Sequence, residues 1–84
     1  MTKKVGILDY GVGNLKSVYN AVRKIGCQPM FVKTGSELSQ FKVCILPGVG
    51  NFGFVVKKFR IAGLEGPVKD FIASGGHVIG ICVG

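Results

Sequence analysis

Eighty-four residues, 48% of them hydrophobic, make one domain at most and exclude a disordered chain. The net charge of +7 comes from 11 Lys+Arg against 4 Asp+Glu, scattered in runs no longer than two, so the basic residues read as a solvated surface rather than a nucleic-acid face. Three cysteines (27, 44 and 82) and one histidine exclude a disulfide framework and a zinc site, and they fit a reducing cytoplasm.

The N-terminal MTKKVGILDYG is neither a signal peptide nor a membrane span, because its apolar run is short and is broken by Asp9. Val5 to Leu8 reads as a buried strand. A glycine turn follows, Tyr10-Gly-Val-Gly-Asn14. From there Leu15, Val18, Val22 and Ile25 recur at three and four residues and mark one helix face, closed by Gly26 as a C′ residue. Pro29 to Val32 is a second strand. Ser36 to Phe41 is one helical turn or a loop.

Val43 to Leu46 is a third strand, ended by Pro47-Gly48, with Cys44 as a small buried hydrophobe. Gly50-Asn51-Phe52-Gly53 is a glycine turn, and a helix runs from about Phe54 to Arg60. Gly63 to Pro67 breaks the chain. Pro67 suits the first turn of a helix whose apolar side is Val68, Phe71 and Ile72. After Gly75-Gly76, His77 to Ile81 is the fourth strand. Strands alternating with helical segments imply a parallel α/β sheet with right-handed crossovers. In a flavodoxin-like order the third and fourth strands are neighbours.

Active loops in such sheets lie beyond the carboxyl ends of the strands. Three glycine-rich loops fall there: GVGN, PGVGNFG and GICVG. The last, Gly80-Ile81-Cys82-Val83-Gly84, has the G-x-[nucleophile]-x-G form. Its small flanking residues clear a strained turn, and a helix N-terminus there would stabilise the thiolate. The backbone N–H of Val83 would face a developing oxyanion. A second donor could come from the PGVG backbone near Val49 or Gly50.

Each piece alone has a plainer reading: a packed cysteine, a tight turn. GVGN could bind a phosphate, but GVGNLK lacks the third glycine of the dinucleotide fingerprint, and no acidic residue follows at the required distance. The three loops together, on corresponding ends of one sheet, favour a thiol nucleophile with an oxyanion hole.

VGILDYGVGNLKSVYNA, ILPGVGNFG and SGGHVIGICVG closely resemble the start of class I glutamine amidotransferases, in particular the glutaminase subunits of imidazole glycerol phosphate synthase in histidine biosynthesis. The likeness runs in register over essentially all 84 residues. It implies residues 1–84 as the N-terminal part of a single amidotransferase domain of flavodoxin-like fold, ending after the nucleophile strand. It implies glutamine as substrate and no cofactor or metal. A cyclase subunit would be the partner, in a heterodimer that receives the ammonia, with no nucleic acid or membrane involved.

By position the resemblance makes Cys82 the nucleophile, and Val49, Gly50 and Val83 the oxyanion hole. Gly48 and Gly50 become glutamine-binding residues. The peptide near Val49 is implied to reorient when the cyclase is engaged, and Asn14 to face the cyclase. Two departures stand out: Phe54-Val55-Val56, where many relatives have an acidic or small residue, and Val83 in place of leucine. The first leaves room for a paralogue feeding ammonia to surface-sugar amination. A non-catalytic phosphate- or partner-binding domain is the alternative of another class.

The family's triad histidine and glutamate have no matching positions here. His77 lies five residues before Cys82 on one strand. That is about 16 Å at roughly 3.3 Å per residue, and on the opposite face. The 84 residues alone are therefore expected not to turn glutamine over. With no helix after the elbow they are also expected to be poorly soluble or partly molten.

Overall fold

Every described strand runs parallel to its neighbours, because each is reached through a helical crossover. The computed structural model describes residues 3–48 and 52–81. In chain order the elements are β1 (Lys4–Leu8), α1 (Leu15–Lys24), β2 (Gln28–Val32), a 3₁₀ helix (Gly35–Gln40), β3 (Val43–Pro47), α2 (Phe52–Ala62), α3 (Glu65–Ala73) and β4 (His77–Ile81).

The sheet order is β2-β1-β3-β4, the flavodoxin-like arrangement, with β3 and β4 paired from Val43–His77 to Pro47–Ile81. The chain travels one way from β1 to β2 and the other way from β3 to β4. The order therefore reverses between β1 and β3, which makes their carboxyl ends the switch point where open α/β sheets place their sites.

Two apolar layers flank the sheet. On one face Val18 and Val22 of α1 bury against Val5, Ile7 and Ile45. On the other, the 3₁₀ helix, α2 and α3 contribute Leu38, Val55, Val68 and Phe71, which pack with Leu8, Val32 and Cys44. β4 forms one sheet edge. Its Val78 packs against the second layer, while Ile79 remains 49% exposed.

Gly6 marks the tightest point inside the sheet. A Cβ there would lie 2.9 Å from Sγ of Cys44 and within 3.1–3.2 Å of Val32 and Phe41. These neighbours are themselves buried and cannot all move aside. Gly6→Ala should destabilise the protein by about 1–3 kcal/mol, the usual effect of overpacking, read from the denaturant midpoint of the complete gene product. An unchanged midpoint would show that the core opens freely at this point.

Several expected boundaries shift. β1 and β2 each begin one residue earlier, at Lys4 and Gln28, and the segment before β3 is a 3₁₀ helix, Gly35–Gln40. Its entry is held by Glu37, whose Oε1 accepts from the Thr34 hydroxyl at 2.9 Å and from the N–H groups of Thr34 and Lys33 at 3.1 and 3.2 Å. The Thr34 hydroxyl, then these two amides, hold the Glu37 carboxyl below its ordinary range.

Pro47 belongs to β3 rather than ending it. α2 runs over Phe52–Ala62, not Phe54 to Arg60, so Gly53 lies inside the helix instead of in a turn. α3 begins at Glu65, inside the stretch expected to break the chain, and Pro67 falls in its first turn as expected; Leu64 is fully buried and its carbonyl accepts from the Val68 N–H at 2.9 Å. Two apolar positions fall outside their expected stripes: Ile25 caps α1 and is 76% exposed, and Ile72 is 53% exposed.

Candidate active site

At the carboxyl ends of β1 and β3 the two glycine loops touch. Gly13 has φ +90°, and a Cβ on it would lie 2.8 Å from Cβ of Pro47 and 3.1 Å from N of Gly48. Gly48 has φ +77°, and its Cβ would meet Cγ1 of Val12 at 2.4 Å and N of Gly13 at 3.0 Å. Only glycine at both positions lets two backbones approach this closely in these conformations. The glycines of GVGN thus have a structural use, in packing against Pro47-Gly48.

Tyr10 fastens the same contact. Its hydroxyl donates to the carbonyl of Pro47, and its ring meets Phe59 of α2 edge-on at 4.9 Å between centroids. The side chain is buried, and burial pushes the phenol above its ordinary pKa, so it remains a donor through neutral pH. On the far side of Pro47 the N–H of Gly48 donates to the carbonyl of Ile81 at 2.8 Å. Ile81 is the last described residue of β4 and directly precedes Cys82. The start of the PGVG loop is thereby tied to the residue before the candidate nucleophile.

Of the expected site residues, Gly48 and Asn14 are described. Cys82, Val83, Val49 and Gly50 lie outside the described residues. Asn14 is exposed, and its side-chain oxygen accepts from the Ser17 N–H at 3.2 Å, which makes it the N-cap of α1. His77 sits at the opposite end of β4 from Ile81, with its backbone N–H bonded to the Lys42 carbonyl at 2.9 Å.

Cys44 is a core residue, fully buried, and desolvation pushes its thiol up to about 11. It is protonated at neutral pH and has no nucleophilic role. Among the described residues no cluster of His, Cys, Asp or Glu could hold a metal ion, and no helix is long and apolar enough to cross a membrane.

Tyr10 is the residue that sequence reasoning passed over. Its partner is 37 positions away, and a tyrosine beside glycines carries no motif of its own. The Phe54-Val55-Val56 departure has a packing explanation at its centre, since Val55 is 5% exposed and belongs to the core between α2 and the sheet.

The class of protein that this fold resembles is the glutamine amidotransferases. A solved structure described as a glutamine amidotransferase superposes with TM-score 0.74 and 26% identity, over 90% of this chain and 40% of that one. The more particular likeness is to imidazole glycerol phosphate synthase subunit HisH. The chain is similar to these subunits, 44% identical over 80 residues to the HisH of Rhodopirellula baltica, covering 95% of this chain and 39% of that protein.

The imidazole glycerol phosphate synthase hisHF of Emericella nidulans is 41% identical over 95% of the chain, which spans 14% of it. The chain therefore spans about two fifths of the length of the HisH relatives it matches. No family model matches it.

Proposed function

We propose that this chain is part of a glutaminase subunit that supplies ammonia to the cyclase of imidazole glycerol phosphate synthase. The observation that carries the reading is the bond from Gly48 N–H to the Ile81 carbonyl, which sets the PGVG loop beside the residue preceding Cys82. In this reading the Cys82 thiolate attacks the side-chain carbonyl of glutamine. Backbone N–H groups of Val83 and the Val49–Gly50 stretch hold the oxyanion, while Gly48 and Gly50 line the glutamine pocket. Ammonia leaves as the thioester forms, and water then releases glutamate and restores the thiol.

The released ammonia passes to the cyclase in a heterodimer, with Asn14 on the facing surface, in the cytoplasm. Residues 1–84 form the N-terminal part of one amidotransferase domain. The general base is not among them: the single histidine is at the wrong end of β4. In this reading the 84 residues alone should not turn glutamine over.

The complete gene should restore growth of a histidine auxotroph that lacks its glutaminase subunit. Its purified product, mixed with the cyclase, should release glutamate from glutamine. Failure to complement despite good expression and glutaminase activity would move the protein to another ammonia-transfer pathway, such as amination of a surface sugar. Absence of any glutaminase activity in the complete product would reject the enzyme reading.

A further inference from the structure

Three strand ends are joined by one run of hydrogen bonds. The Tyr10 hydroxyl, just past β1, donates to the Pro47 carbonyl at the end of β3. That carbonyl belongs to the Pro47–Gly48 peptide, whose N–H donates to the Ile81 carbonyl at the end of β4. The Ile81 carbonyl in turn belongs to the peptide joining Ile81 to Cys82. A peptide that accepts at its oxygen becomes a better donor at its nitrogen, so the two bonds reinforce each other.

The Tyr10 ring is held for this task. It is buried against Phe59, and the phenol is its one polar atom in the interior. A core that needed only the ring could have used phenylalanine.

We propose that Tyr10 is a positioning residue of the glutaminase site: its hydroxyl fixes the plane of the Pro47–Gly48 peptide and, through Gly48, the carbonyl next to Cys82. The proposal rests on the glutaminase reading above. Tyr10 touches no substrate. It sets the spacing and orientation between the strand end that opens the PGVG loop and the strand end that carries the thiol. Positioning errors at such a site show in turnover more than in binding, because the oxyanion forms only during the reaction.

The test uses the complete gene product with its cyclase partner. Tyr10→Phe keeps the ring and removes the hydroxyl. It should lower kcat for glutamine hydrolysis about five- to tenfold, the scale of one lost hydrogen bond, with KM for glutamine changed less than about twofold. Phe59→Leu is the packing control. It loosens the ring's neighbour but leaves the hydroxyl, and it should lower the melting temperature while kcat stays within about twofold of the parent.

Equal losses of kcat in the two variants at matched stability would overturn the proposal, as would an unchanged kcat in Tyr10→Phe. A Tyr10→Phe protein too unstable to assay would assign the hydroxyl to the fold instead and count equally against it. An inactive parent protein is a different result, since it removes the glutaminase reading itself.

Discussion

Cys82→Ala in the complete gene product should abolish glutamine hydrolysis, lowering kcat by at least about a thousandfold, as expected when a covalent nucleophile is removed. Cys82 has the G-x-C-x-G setting of a nucleophile, and it follows Ile81, whose carbonyl accepts from the N–H of Gly48, the second residue of the PGVG run. The other two cysteines do not compete for the role. Cys44 is buried with its thiol pushed up to about 11, and Cys27, half-buried, directly precedes β2, away from the carboxyl ends of the strands.

Glutamate release measured with and without the cyclase checks the result. Synthesis by the complex should survive in the variant when ammonium salt replaces glutamine, because the substitution removes the ammonia source and not its consumer. Residual glutamine hydrolysis above about one per cent of the parent rate would place the nucleophile elsewhere.

Gly48→Ala is the second large effect, and it acts through backbone geometry. The residue has φ +77°, and the added Cβ would sit 2.4 Å from Val12 and 3.0 Å from the Gly13 backbone nitrogen. Val12 is β-branched and stiff, and the Gly13 backbone is itself held against Pro47. Relief requires the two loops to part, which would weaken the Tyr10–Pro47 and Gly48–Ile81 bonds. We expect a loss of about 1–3 kcal/mol in stability and at least about a tenfold fall in kcat. Thermal melts and steady-state kinetics on the complete gene product read both. A variant that melts normally and turns over normally would show that the loops tolerate separation.

The main elements were legible from the sequence because local signals agreed, while the strand order came from the family resemblance. Short apolar runs bounded by glycine gave the strands, and Val18 and Val22 gave the buried face of α1. The errors occurred where a long-range contact overrode a local cue. Pro47 reads as a strand stop, yet its carbonyl is claimed by Tyr10 and its register is fixed opposite Ile81. The β1–β3 register runs through Cys44 and Ile45, so at Pro47 a missing N–H breaks no ladder bond on that side.

Gly53 reads as a turn residue, but it lies in the first turn of α2, where few intrahelical bonds depend on it. Ile72 reads as part of the α3 core face. The helix buries Val68 and Phe71 and leaves Ile72 53% exposed. At the site, the sequence named the loops and the thiol but not the tyrosine that links them, since no local pattern encodes a contact between residues 10 and 47.

Cys44 has a consequence for how the molecule's breathing can be followed. Its sulfur, on β3 beside Gly6 of β1, is sealed from solvent and is disarmed by burial. A reagent in water therefore cannot meet it as a reactive thiolate until β1 and β3 separate from the layer above them. The residue serves as a natural clock for core opening: its labelling rate at a given pH tracks the population of molecules in which that layer has lifted from the sheet.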